Sequence, residues 1–344
     1  MPGTAVAPGV DRGRVTASRT LARLLLTGAV LVGALLLAIA AGAAALPLRD
    51  VIDALFGGSD AATRAIVLEL RLPRAMLAVV AGGALAVSGA VFQALLRNPL
   101  AEPYVLGVSG GAAVGAIGAI VLGVAAATVV VPLAALAGAL AAVLLVYRIA
   151  AGVGGVLDTR VLLLAGVVVG AFCNALILLL LTLADVESFR SAVFWMMGSL
   201  AAARWSTTTL LALYALPGVV VLVGMARPLN LLTLGEETAA YLGTRTERLK
   251  LAAYLIASLL VAASVAACGI IGFIGLIVPH ALRLLWGSDH RLLLPASFLG
   301  GGAFLLLADT AARTLAAPAE LPVGVVTALI GVPLFMLLLV RGRA

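Results

Sequence analysis

Ten apolar runs, most of them close to the length that spans a bilayer, follow one another with only short polar breaks between them. They read as 21–46, 72–96, 104–123, 127–147, 161–184, 205–226, 249–268, 270–286, 292–315 and 322–340. A hydrocarbon core about 30 Å thick takes about 20 apolar residues as a helix. Lipid offers no partner to an unpaired backbone amide, so a chain that crosses it repeatedly must do so as helices. The expected fold is therefore all-α, a polytopic membrane protein with about ten transmembrane helices. Two divisions rest on spacing rather than charge. No charged residue lies between Glu102 and Arg148, a gap too long for one helix that fits two with a turn near Gly123. The seventh and eighth runs are parted only by Gly269 and its neighbours.

The first 20 residues are polar and read as a tail, leaving 21–344 as one transmembrane domain. A secretory signal is the alternative for this end, because "AGAAALP" resembles a cleavage site, but the run 24–46 is longer than a signal core. The net charge of +7 would suggest nucleic acid in a soluble domain. Here its distribution decides otherwise. With the N-terminus in the cytoplasm and ten spans alternating, 15 Lys and Arg fall inside and 7 outside, against 7 and 8 acids. Those sums are +8 inside and −1 outside, as the positive-inside rule requires. Both termini are then cytoplasmic, and no nucleic-acid partner is needed to explain the charge.

The spans hold few reactive groups. Gln93, Asn174 and Asp309 are the polar residues within them that stand out. An intramembrane carboxylate is a functional candidate by default. Asp309, however, has Arg313 four residues on, on the same helix face, so a self-contained ion pair competes with a proton relay. His280 and His290 flank a short loop and read either as ligands or as helix-end residues with local hydrogen bonds. Cys173 and Cys268 lie inside apolar runs with no metal or disulfide spacing. Gly107, Gly111 and Gly115 repeat every four residues, and "AGGALAVSG" (81–89) and "GGG" (300–302) add more small positions. Tight helix packing is one reading of these; the lining of a substrate path is the other. No metal-binding or catalytic set emerges. A phosphate loop needs a lysine after its glycines, and the only lysine, Lys250, follows Arg248-Leu249. The chain itself then holds no cofactor, and any ATP and magnesium it depends on must be bound by another chain.

One polar stretch is too long for a turn, "TLGEETAAYLGTRTERLK" (233–250). Gly235 and Gly243 are natural breaks, and 230–248 has room for two short helices on the cytoplasmic face. Glu236 and Glu237 fall in a first helical turn, where acids are favourable. Ala239, Ala240 and Leu242 would be available to a soluble partner. A solvated loop is the plain alternative.

Five blocks in order carry a resemblance to a known family. They are "ELRLPRAMLAVVAGGALAVSGAVFQALLRNPLAEPYVLGVSGGA" (69–112), "LGEETAAYLG" (234–243), "GIIGFIGLIVPHALRLLWGSDHRLLLPAS" (269–297), "LADTAAR" (307–313) and "ELPVGVVTALIGVPLFMLLL" (320–339). The chain resembles the FecCD-type permeases, the membrane subunits of ABC importers for ferric siderophores, haem and cobalamin. The resemblance implies the large type II ABC importer permease fold. It implies a second permease subunit, identical or a close homologue, two cytoplasmic ABC ATPases, an extracytoplasmic substrate-binding protein, and residence in a bacterial cytoplasmic (inner) membrane. Coupling helices at about 229–248 would enter a groove on the ATPase through Leu234, Gly235, Glu236, Glu237, Ala239, Leu242 and Gly243. Arg71, Arg74 and Arg313 would meet carboxylates of the binding protein on the outer face; pairing within the chain, with Asp309 and Glu69, is their alternative. Gln93, Asn98, Pro99, Leu100, Asp158, Thr159 and Asn174 would serve the translocation path and its cytoplasmic gate, with Cys173 beside Asn174 on the fifth span.

The activity implied is uptake of an iron chelate by alternating access, with ferric siderophore placed first and haem and cobalamin next. The competing class is an ion-coupled secondary transporter that uses Asp309 as its relay and needs no ATPase. An intramembrane lipid transferase is disfavoured because it needs acidic clusters that the sequence lacks.

Overall fold

The computed structural model describes residues 17–42, 46–124, 129–154 and 158–341. All of its regular elements are helical. The expected polar tail falls largely outside the described residues. The chain begins with α1 (Ala17–Ala40) and two short helices, α2 (Leu48–Phe56) and α3 (Ala61–Ala65). A π-helical segment, Ile66–Arg71, leads without a break into α4 (Leu72–Leu95). Then come α5 (Val108–Val121), α6 (Val130–Gly154), α7 (Thr159–Leu183), α8 (Val186–Met196) and α9 (Trp205–Gly224). Two short helices follow, α10 (Ala226–Thr233) and α11 (Glu236–Tyr241), before α12 (Thr246–Cys268), α13 (Ile274–Trp286), α14 (His290–Thr314) and α15 (Val323–Arg341).

Seven of these helices are long and apolar enough to cross a bilayer, and α5, α13 and α15 are shorter apolar helices. They match the ten expected spans one for one. With the start of α1 placed at the bottom, Arg23 donates to the carbonyl of Trp286 at the end of α13. Arg313, at the end of α14, reaches carbonyls at the end of α1 and so marks the top. α8 is an addition to the expected pattern. Asp185 caps it by accepting from the Ser188 amide at 2.7 Å, and hydrogen bonding to Ser188, through its backbone first and its side chain next, holds the Asp185 carboxyl below its usual range.

α4 is the hub. Every residue from Val80 to Leu95 is buried, as a helix apolar on all sides should be. It packs against α14, α12, α9 and α13. Association of helices in lipid depends on close backbone approach, and the glycines supply it. A Cβ on Gly82 would strike the Gly301 carbonyl, one on Gly301 the Gly82 carbonyl, and one on Gly89 the Gly275 carbonyl. Gly111 of α5 meets Gly138 of α6 in the same reciprocal way, and Gly115 meets Ala134. The small-residue pattern thus serves helix packing at these positions. Gly107 differs: it sits at φ 79° as the residue before α5.

The structure departs from the expected spans at two places that face each other. α5 has 14 residues and α13 has 13, so each rises only about 20 Å, short of the hydrocarbon thickness. The connections before them, 96–107 and 269–273, therefore dip inward from opposite faces and meet. The Tyr104 hydroxyl donates to the Ile271 carbonyl at 2.9 Å, and the Phe273 amide donates to the Glu102 carboxylate at 2.9 Å. Backbone groups freed at membrane depth must find partners inside the protein. Here side chains of one dip supply them to the other.

Candidate functional site

At the bottom of the molecule α10 and α11 form the shelf anticipated from the polar stretch, broken at Gly235 (φ 122°) and Gly243 (φ 83°). α10 begins earlier than expected, at Ala226. Helical spacing divides α11 into two faces. Leu234, Glu237, Ala240, Tyr241 and Leu242 are exposed, with Tyr241 91% so. Ala239, expected to be available to a partner, is instead fully buried. Glu236, one turn earlier on the same face, also turns inward. Its Oε2 lies 2.7 Å from the Lys250 ammonium, while Oε1 is 3.5 Å from the Thr159 hydroxyl and 3.9 Å from Arg97 Nη2. The large apolar groups offered outward are Leu234, Tyr241 and Leu242.

The shelf is tied to the rest of the bottom face through Asn230. Asn230 donates to the Asp289 carboxylate at 2.8 Å and accepts from the His290 amide at 2.9 Å. His290 Nδ1 is 2.7 Å from the same amide oxygen, so His290 is a helix-start residue with local hydrogen bonds. Asp289 also accepts from the Arg291 guanidinium and from the Arg291 amide. These bonds, the Arg291 side chain foremost, hold its carboxyl down at about 2.

The expected gate residues sit beside this shelf. Asn98, Pro99 and Leu100 are exposed, and Asn98 folds its side-chain oxygen onto the Leu100 amide at 3.0 Å. Asp158 caps α7 by accepting from the Arg160 amide at 2.7 Å. Gln93 is enclosed between α4 and α13, its amide 3.3 Å from the carbonyls of Gly275 and Leu276. Asn174 lies on the uncovered face of α7, whereas Cys173 is buried against Gly110 of α5.

At the top, Arg71, Arg74 and Arg313 converge, and their guanidinium groups are largely engaged within the chain. Arg74 holds Asp309 at 3.0 Å and Glu320 at 3.0 Å. Arg313 takes the other Asp309 oxygen at 3.1 Å. Both Asp309 oxygens thus accept from guanidinium donors, the self-contained ion pair that the i, i+4 spacing offered. Arg71 donates to the carbonyls of Ile39 and Ala40, and Arg313 to those of Ala38 and Ala41. The last carbonyls of a helix lack intrahelical partners and carry its negative end, so two of the three arginines cap α1.

An open apolar groove of about 630 Å³ runs beside the two dips, lined by Met196, Met197, Ile270, Phe273, Leu329 and Val332 among others. Sequence reading missed this part of the site. The lining comes from the end of α8, the dip after α12 and one face of α15, and none of these has a polar signature. The one readable signal was the Asp185–Ser188 spacing that starts α8.

A model of the FecCD transport family matches residues 29–341. The chain is 43% identical over 280 residues to the hemin transport system permease protein HmuU of Yersinia pestis, covering 81% of this chain and 84% of that one. It is 44% identical over 284 residues to the cobalamin import system permease protein BtuC of Halobacterium salinarum, covering 83% and 75%. Among solved structures it is similar to a metal-chelate type ABC transporter in an inward-facing conformation, with TM-score 0.85 and 32% identity over 92% of this chain and 98% of that one.

Proposed function

The chain belongs to the FecCD transport family, and from that premise we propose that it is the permease subunit of an ATP-binding-cassette importer for a bulky metal chelate. It is a transport subunit and not an enzyme. ATP is bound and hydrolysed with magnesium by two separate cytoplasmic subunits docked on the shelf of α10 and α11. A second permease subunit, identical or homologous, completes the path across the uncovered face of α7 and the groove beside α15. A binding protein delivers cargo at the top, near Arg74 and Glu320, and the bottom loops at Asn98–Leu100 and Asp158–Thr159 gate release. The chain resides in a bacterial cytoplasmic membrane with both ends in the cytoplasm, and the cycle is alternating access.

The observation that carries the cargo class is the groove. Its walls are methionine, aliphatic and aromatic side chains with glycine, which suit a large chelate and offer no hard ligands to strip its metal. Hemin and cobalamin, named for two relatives, are of that kind, and a ferric siderophore fits the same description. The iron then crosses as its complex.

The test is to purify the tagged chain gently from native membranes and identify what comes with it by mass spectrometry. A stoichiometric subunit with a phosphate loop is expected, and Leu234→Asp or Leu242→Asp should lose it. Reconstituted vesicles then compare uptake of a ferric siderophore, haem and cobalamin. A pure chain that transports under a proton gradient with no ATPase would overturn the reading.

A further inference from the structure

Glu236 touches three different parts of the bottom face at once. Lys250 is on α12, Thr159 is the first residue of α7, and Arg97 follows the end of α4 directly before Asn98–Leu100. The Lys250 side chain is only 5% exposed. Glu236 at the other end is 32% exposed, so the enclosed end of this short pair is the ammonium, and losing the carboxylate takes an ion-pair partner from a buried charge. α11 itself is six residues long and is flanked by glycines at positive φ. It is a small rigid piece between two pliant joints, and Glu236 is its charged tie to the helices behind it.

Arg97 supplies a second, independent observation. α4 ends with the Asn98 amide on the Gln93 carbonyl at 3.0 Å and the Arg97 amide on the Ala94 carbonyl at 3.2 Å. That is the Schellman pattern, whose left-handed residue is ordinarily glycine. Here it is an arginine at φ 46°. A strained backbone kept at a non-glycine residue points to a use for its side chain, and this side chain extends toward Glu236.

We propose that Glu236 is the positioning residue that carries displacement of the shelf to both gate loops, through Lys250, Thr159 and Arg97, and is not itself a contact with the ATPase. The inference rests on the reading of α10 and α11 as the ATPase-docking shelf. When the shelf shifts, the enclosed Lys250 pair moves with it. The Thr159 and Arg97 contacts then transmit the shift to the start of α7 and to the loop after α4.

The experiment uses the full importer, with its ATPase and binding protein, reconstituted in liposomes. Chelate uptake and ATP hydrolysis are measured in the same vesicles. Glu236→Gln and Lys250→Met should each lower uptake per ATP hydrolysed at least tenfold with the ATPase still bound, and the double variant should fall no further. Lys250→Arg should stay within threefold of the parent ratio. Arg97→Gly, which relieves the backbone and so should fold, should lower the ratio at least threefold. Unchanged ratios in Glu236→Gln and Arg97→Gly would overturn the proposal. So would loss of the ATPase from Glu236→Gln preparations, which would make the carboxylate a docking contact. If the parent chain binds no ATPase at all, the importer reading falls first and this inference with it.

Discussion

Arg74 and Asp309, 235 residues apart in the chain, meet at 3.0 Å at the top of the molecule, with side chains only 14% and 3% exposed. Arg313 shares the same carboxylate from one turn along α14. The aspartate is the common counter-charge that lets two guanidinium groups sit against α1 and α4.

Removing that counter-charge should destabilise the fold. Arg74 keeps Glu320 as a partner, but Arg313 has Asp309 as its ion-pair partner. Breaking an enclosed ion pair on one side costs about 3–5 kcal/mol. Asp309→Asn should therefore lower the thermal midpoint in detergent, and adding Arg313→Met should recover part of the loss, because the unpaired guanidinium goes although its bonds to the Ala38 and Ala41 carbonyls go with it. Were Asp309 a proton relay, the single variant would instead abolish transport at unchanged stability, and the second change would rescue nothing.

The end of α1 depends on Arg71. Its Nη1 lies 2.6 Å from the Ile39 carbonyl and 3.0 Å from that of Ala40. A hydrogen bond from a charged donor contributes about 1.5–3 kcal/mol. Arg71→Met should leave the last turn of α1 fraying, visible as faster amide exchange around 38–42 with no binding protein present. Exchange identical to the parent would remove the capping role and leave docking as the residue's task.

The glycine crossings separate sharply from glycines elsewhere. Gly82→Val places a side chain where the Gly301 carbonyl and Leu305 Cβ already stand, and should leave no folded protein in membranes. Gly118→Ala meets nothing within 4 Å and improves helix propensity, so yield and thermal midpoint should match or exceed the parent. Comparable losses from both would mean that the α4–α14 contact is looser than described.

The tie between α10 and α14 should fail in acid. The Asp289 carboxylate is held at about 2, below the ordinary value near 4. A depressed pKa gives a contribution that is complete above the ordinary value and disappears as the pH falls through the folded one. Exchange of amides in α10 should be flat above about pH 4, once corrected for intrinsic rates, and should quicken toward about pH 2. Asp289→Asn should be loosened at every pH and lose most of the dependence.

Much of this architecture was legible because lipid allows so few solutions. Runs of the right length became helices, and the two glycines of the polar stretch became the joints of α11. What stayed hidden was direction and depth. Glu236 and Glu237 are adjacent and chemically alike, yet one turns to Lys250 and the other to solvent; only the packing of α11 on α12 decides which. Glu102 and Tyr104 look like residues of an ordinary cytoplasmic loop. Their role depends on α5 and α13 being short, and apolar residues continue past the ends of both helices. The three arginines lie together at the top, but the attachment of Arg71 and Arg313 to α1 follows from carbonyls, which every residue has and no side-chain pattern announces.

The brevity of α13 also bears on how the protein is made. A segment of 13 helical residues is too short to settle in a bilayer by its own hydrophobicity. Its berth is Gly89 on α4, a helix synthesised almost two hundred residues earlier. During biogenesis α13 thus enters a seat prepared long before, and its own place in the membrane is completed by tertiary docking rather than by partition into lipid alone.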